Sequence, residues 1–260
     1  MKVGDVLEGA LPFGTFYWEP LRDSKDIVAL AGGVGITPFY SMAKEIAYGK
    51  MKGCRLTILY GSVKRDDIVL REELAAVEAA CPDVKVVHVL SDEPDWEGEK
   101  GFISREIIEK YAPADCTFMF CGPYPMYTFV KKTMDEMGIT GRRFRHDAVN
   151  NPADVTMLPG YPKGKETETH TITVVRGIHE DVIQASGGES VAVALERAAI
   201  KIDTHCRNGE CGFCRSQLIS GEVFVSPVGD GRRLMDKEMG WFHPCASWPL
   251  SDLKIRIPIM

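Results

Sequence analysis

No stretch of the 260 residues approaches 18 uninterrupted apolar positions, so nothing in the sequence reads as a membrane span. The opening residues, MKVGDVLEGA, lack the apolar run of a secretory signal. Positive charge is not in excess: 31 Lys+Arg stand against 37 Asp+Glu, a net charge of −6. That balance argues against a nucleic-acid binder, whose affinity rests on a surplus of Lys and Arg. Internal repeats and low-complexity tracts are absent, and the six histidines form no Ser–His–Asp or HExxH arrangement. What remains is 45% apolar and 26% charged, the mix of a soluble globular chain long enough for two domains. The expected location is the cytoplasm.

Eight cysteines are present, at 54, 81, 116, 121, 206, 211, 214 and 245. A chain of this length without a secretory signal is a poor disulfide scaffold. The first four are scattered among apolar segments, where single cysteines behave as small hydrophobes. The last four crowd into 40 residues, three of them within nine. Cys206-x4-Cys211-x2-Cys214, with Cys245 after 30 intervening residues, matches the plant-type ligand spacing of a 2Fe–2S cluster. Gly209 and Gly212 supply the permissive backbone that a sharply bent ligand loop needs. Arg207 and Arg215 would offset the negative charge of a thiolate-bound cluster. Zinc is the rival, but structural zinc sites favour a repeated C-x2-C pairing. Unligated cysteines are the bland alternative. They would leave three thiols in a polar, Gly-rich loop without purpose. His205 and His243 flank the cysteines and read as neighbours of the site rather than as ligands.

Apolar strands alternate with helices between Asp26 and about Val149. Strand-like runs begin at Asp26, Arg55, Val84 and Cys116; helices are expected over 39–48, 72–80, 104–111 and 125–137. That alternation predicts a parallel sheet covered on both faces, a nucleotide-binding α/β domain over 21–150. Three prolines and two glycines between Asn150 and Glu168 read as a connector, 151–168. Beyond it lies a small α+β domain, 169–260. It contains a strand pair about Gly177, a helix over 189–199, one strand over Ser216–Phe224 and a last strand from Leu253. Val3–Gly9 and Leu11–Phe16 resemble a hairpin with nothing of its own to pack on, and an isolated hairpin is marginal in water. Residues 1–20 therefore read as the end of something larger.

Gly32-Gly33-Val34-Gly35-Ile36-Thr37-Pro38 follows a buried strand and opens a helix, a place where backbone N–H groups can hold a pyrophosphate. It lacks the G-x-G-x-x-G spacing, and tight packing alone can also call for glycine. Cys121-Gly122-Pro123, with Met126 beyond, ends the fourth strand, where ligands bind in open α/β sheets; a buried hydrophobic Cys is the competing reading. Ser62, Lys64 and Arg65 end the second strand and could meet an adenosine ribose or a 2′-phosphate, or form a solvated charge cluster.

Taken in order, Gly-Gly-Val-Gly-Ile-Thr-Pro (32–38), Tyr-Gly-Ser…Asp-Asp-Ile (60–68), Cys-Gly-Pro-x-x-Met (121–126) and the cysteine loop resemble the ferredoxin–NADP reductase superfamily. The resemblance is closest to its reductase components with a C-terminal ferredoxin domain, such as phthalate dioxygenase and vanillate demethylase reductases. It implies NAD(P)H bound at residues 32–38 and Cys121 beside the nicotinamide as the catalytic residue. It also implies Cys206, Cys211, Cys214 and Cys245 as cluster ligands in a β-grasp domain. Residues 2–16 resemble the last hairpin of the family's flavin barrel, but the rest of that barrel, with its Arg-x-Tyr-Ser motif, is absent. Val63 stands where many relatives carry Arg, which leaves NADH against NADPH open; Phe213 fills a loop position that is often small.

The expected activity is transfer of electrons from NAD(P)H through a flavin to a 2Fe–2S cluster, and on to an oxygenase, demethylase or other redox acceptor protein. FAD or FMN belongs with the missing barrel, because a flavin splits the hydride pair that a one-electron cluster cannot take whole. The chain is thus expected to be a truncated piece. The alternative is a non-enzymatic electron-transfer or regulatory subunit whose flavin sits on a partner chain.

Overall fold

A computed structural model describes residues 2, 4–6, 14–147 and 151–258. The expected hairpin at the start of the chain falls mostly outside these residues. Two compact units emerge, 1–120 with 130–147, and 121–129 with 148–260.

The first unit is built on a sheet of β1 (Asp26–Gly32), β2 (Arg55–Ser62), β3 (Val84–Leu90), β4 (Glu99–Lys100), β5 (Thr117–Cys121) and β6 (Phe144–His146), in the order β4-β3-β2-β1-β5-β6. Pairing is parallel between β1 and β2, β2 and β3, β3 and β4, and β5 and β6. In β1 every residue after Asp26 is buried, as a central strand covered on both faces requires. Helices α1 (Thr37–Ala47), α2 (Arg71–Ala80), α3 (Arg105–Tyr111) and α4 (Tyr124–Glu136) alternate with the strands. A parallel connection needs such crossovers. The two-residue β4 and three-residue β6 are too short to carry a period, so the sequence pattern did not reveal them.

Residues 15–24 are fastened to this sheet by a buried ion cluster. Arg145, on β6, bonds the Asp23 carboxylate at 2.8 Å, and Arg22 reaches it at 3.1 Å. Arg145 also donates to the Tyr17 carbonyl at 3.1 Å. Ser24 N–H donates to Thr117 Oγ1 at 2.9 Å.

The second unit holds β7 (Thr169–Arg176), β8 (His179–Ser186), α5 (Val191–Arg197), β9 (Ser216–Ser220), β10 (Val223–Val225), α6 (Leu234–Glu238), β11 (Trp241–Phe242), β12 (Ser247–Pro249) and β13 (Leu253–Arg256). Five strands form a mixed sheet, β11-β9-β13-β7-β8, with β13 and β7 parallel, and β10 pairs β12 apart from it. Helix α5, capped by Ser190 Oγ on Val193 N–H, buries Val191, Ala194 and Leu195 with Ile172, Val174, Phe242 and Ile255.

The single strand expected over Ser216–Phe224 is two strands in two sheets. Gly221 breaks it with φ +96°, and a Cβ there would lie 2.2 Å from the Asp252 carbonyl. The residues expected as a connector carry short 3-10 turns at Val155–Met157 and Lys165–Thr167 and bury Val155, Leu158 and Tyr161. Tyr161 donates to the Gly187 carbonyl at 3.0 Å and meets Phe224 edge to face, so this stretch is anchored.

Candidate functional site

The cysteine loop is shaped by backbone that most residues avoid. Arg207, Gly209 and Gly212 have φ of +56°, +93° and +76°. These turns fold residues 206–214 into a cup, and its amides point inward. Cys211 N–H lies 3.4 Å from Cys206 Sγ, and Asn208 N–H also bonds that sulfur. Cys245 arrives from a separate segment, on a 3-10 turn after β11, and its Sγ stands 3.4 Å from Cys214 Sγ. Cys245 is hydrogen-bonded to Cys206 as well, so sulfurs 30 or more positions apart in sequence meet in one buried group.

None of the eight cysteines is in a disulfide. The hydrogen bond from Cys245, with those amides, overcomes burial and pulls Cys206 down to about 4. Cys245 is held far up as the thiol by those same sulfur contacts and by burial, while its bond to Cys214 lowers that residue. Burial pushes Cys211 up. The contacts run from Cys211 to Cys206, to Cys245 and to Cys214. A 2Fe–2S cluster takes four thiolates at the plant-type spacing that these cysteines have.

One side of the loop is covered by a strap, Ser226–Arg232, while Arg207 and Phe213 stay exposed and Cys206 and Cys211 half-buried. Gly231 N–H donates to the Gly209 carbonyl at 3.1 Å, and His243 Nδ1 lies 2.5 Å from the same oxygen. A Cβ on Gly231 would fall 2.2 Å from the Glu210 carbonyl, and one on Gly229 would fall 2.9 Å from the Asn208 carbonyl. Asp230 pins the strap: burial alone would raise its pKa, but Arg232 and Lys237 hold it well below the carboxylate range. The Gly and Pro density of 226–232 signals a turn in sequence but not what the turn covers. His243 is 3% exposed and belongs to this framework, whereas His205 is exposed and stacks on Phe213 at 3.8 Å.

Arg207 pairs with Glu196 and also interacts electrostatically with the Cys245 sulfur. Arg215 pairs with Asp236 and lies 4.0 Å over the Trp241 ring.

In the first unit, Gly32 ends β1 and residues Gly33–Ile36 make a 3-10 turn into α1. Gly33 has φ +52°, and a Cβ on it would meet nothing within 4 Å, so its outer face is open. Tyr60 donates to the Gly33 carbonyl at 3.0 Å, and Thr37 Oγ1 donates to the Val34 carbonyl at 3.1 Å, fixing the turn. No side chain caps α1; Thr37 N–H donates to the Val34 carbonyl, and the second residue, Pro38, has no N–H.

Ser62 closes β2, next to exposed Lys64 and Arg65. Lys64 is 3.6 Å from Asp92; Arg65 N–H donates to Glu93 at 3.0 Å, and its guanidinium lies 5.4 Å over Trp96. Cys121, half-buried, is the last residue of β5, which neighbours β1 in the sheet; Gly122, exposed Pro123 and half-buried Met126 follow into α4. Asp92, Glu93 and Trp96 escaped sequence reasoning because they lie on the loop after β3, and only the β2–β3 pairing brings them beside residues 62–65.

An α/β unit with an open glycine turn, followed by a β-rich unit with converging thiols, defines a two-module redox chain. Residues 29–132 match the oxidoreductase NAD-binding domain and residues 176–249 the 2Fe-2S iron-sulfur cluster binding domain. The chain therefore carries an NAD-binding module followed by a 2Fe–2S module. NADH-cytochrome b5 reductase 1 of Neosartorya fischeri is 32% identical over 152 residues, 55% of this chain and 49% of the relative. NADH--cytochrome b5 reductase 1 of Arabidopsis thaliana is 34% identical over 143 residues, 53% of this chain and 50% of the relative. The chain spans about half the length of the curated relatives it matches. Phthalate dioxygenase reductase, described as a modular structure for electron transfer from pyridine nucleotides to [2Fe-2S], superposes with TM-score 0.60 at 21% identity. That match covers 99% of this chain and 73% of the other and establishes the shared fold.

Proposed function

We propose that this chain supplies the nucleotide and iron–sulfur modules of an NADH-dependent reductase. Such a reductase passes electrons from NADH through a flavin to a 2Fe–2S cluster and on to a redox acceptor protein such as an oxygenase or demethylase. The observation that carries the reading is the meeting of Cys206, Cys211 and Cys214 with Cys245 from a distant segment, Cys214 and Cys245 being 3.4 Å apart. These four are assigned as the ligands. A 2Fe–2S cluster held by these thiolates would supply one-electron transfer, and a flavin would supply the splitting of the hydride pair.

The residues of the chain bind and orient. Gly32–Pro38 face the pyrophosphate, residues 62–65 lie at the adenosine ribose, and Cys121–Pro123 with Met126 bound the nicotinamide end. Lys64 is paired with Asp92, Arg65 gives its backbone N–H to Glu93 and stacks its guanidinium on Trp96, and Asp66, Asp67 and Asp95 lie nearby in the sequence, so carboxylates outnumber cations there. A 2′-phosphate would meet net negative charge there, whereas a ribose hydroxyl can donate to a carboxylate, which favours NADH. The relatives named for NADH support the same preference.

Anaerobic reconstitution of the chain with iron and sulfide is expected to give two irons per chain, visible absorption, and an EPR signal on reduction. Cys211→Ser should abolish the signal and leave NADH binding within twofold. A single zinc or a disulfide in place of the cluster would overturn the assignment. For the coenzyme, titration should show NADH binding at least tenfold tighter than NADPH. Asp92→Ser with Glu93→Arg should narrow that gap to about threefold, roughly 0.7 kcal/mol lost. Equal binding of the two by the unaltered chain would sink the preference.

A further inference from the structure

We infer that the side-chain amide of Asn208 donates a hydrogen bond to a sulfur of the assembled cluster, and thereby sets how readily that cluster accepts an electron. The inference rests on the four-cysteine assignment above and adds a residue to it. Asn208 lies between Cys206 and Cys211 and is 0% exposed. Its backbone N–H already serves Cys206 Sγ. Its side-chain Oδ1 accepts from Glu210 N–H at 3.4 Å, which fixes the amide's orientation, since a flipped side chain would set one donor against another. The other end, Nδ2, is buried and has no hydrogen-bond partner.

An orphaned buried amide donor is costly, so such groups are rare and call for an acceptor. The loop carbonyl of Gly209 cannot serve, because its two lone pairs are filled by Gly231 N–H and His243 Nδ1. Nδ2 itself is closed to outside water. The thiols of Cys206 and Cys211, two positions before and three after Asn208 in the same loop, are acceptors of the loop's own. The sulfurs of a 2Fe–2S cluster carry negative charge that grows when one electron is added. An N–H donor aimed at sulfur therefore stabilises the reduced form more than the oxidised form and raises the potential.

Asn208→Asp keeps the side-chain shape and the acceptor for Glu210 N–H but replaces the donor, whereas Asn208→Ala removes both. In an EPR-monitored redox titration of the reconstituted full chain, Asn208→Asp should lower the reduced-to-oxidised ratio at fixed ambient potential at least tenfold. That is 59 mV for one electron. Asn208→Ala should move it in the same direction by a smaller factor. Because the Asp carboxylate lowers the ratio through its charge alone, the neutral variant decides: an Asn208→Ala ratio within twofold of the unaltered chain overturns the inference.

A second measurement stands if neither variant retains the cluster. Asparagine occurs only at 150, 151 and 208, so labelling with side-chain 15N-asparagine is nearly site-specific. Pulsed EPR of the reduced, unaltered chain should show a weak 15N coupling, and its absence refutes the bond. Failure of the unaltered chain to assemble a 2Fe–2S cluster would instead overturn the ligand assignment, and this inference with it.

Discussion

His243 shows how much of the cluster site rests on a residue that is not a ligand. Its ring nitrogen, 2.5 Å from the Gly209 carbonyl, ties the loop bearing three thiols to the turn bearing the fourth, two positions before Cys245. His243→Leu removes that tie and leaves the packing roughly filled. Cluster loss to a chelator, followed by visible absorption, should then run about tenfold faster, the equivalent of about 1.4 kcal/mol. His243→Asn, whose amide nitrogen can occupy the Nδ1 position, should recover most of the difference. Equal rates for Leu and Asn would show that packing alone matters. Sequence reasoning placed this histidine near the site from its spacing to Cys245, but the partner it reaches lies 34 positions away, and no pattern in the chain encodes that.

At the level of elements, β1, the glycine turn and α1 were legible because each follows from local physics: an apolar run, permissive backbone, and a proline in the first helical turn. The ligand loop was legible because three of its thiols are close in sequence. The strap over 226–232 and helix α6 were not, since short segments with little hydrophobic period gain their shape from what they cover. Gly231 is the sharpest case. Gly231→Ala would put a methyl 2.2 Å from the Glu210 carbonyl, a clash only backbone displacement can relieve. The expected cost is about 1–3 kcal/mol. Iron bound per chain after reconstitution should fall by half or more, with the NAD-binding unit's melting unchanged. Full occupancy in Gly231→Ala would mean the strap is loose enough to yield.

Across the whole molecule, the two units should respond to acid and mutation through different carboxylates. In the first unit burial tends to raise the pKa of Asp23, but Arg22, the Glu19 amide and Arg145 bring it below its ordinary 3.8. A lowered folded value means this stabilisation is complete above 3.8 and is lost as pH falls through the folded value. Arg145→Met leaves Asp23 with less compensation and should cost about 3 kcal/mol at pH 7, read as a lower urea midpoint for the NAD-binding unit. Asp23→Asn should lose stability at pH 7 yet show a flatter decline below pH 3.8 than the unaltered chain. A parallel decline would exclude Asp23 as the acid-sensitive group. The second unit should keep its own midpoint in both variants, since Asp230 answers to Arg232 and Lys237. The wide separation between Cys214 and Cys245 has one more consequence. Iron laced through both thiols would rivet the polypeptide into a closed ring that includes the strap, so after a protease cut there denaturant should separate the two pieces only once a chelator has removed the iron.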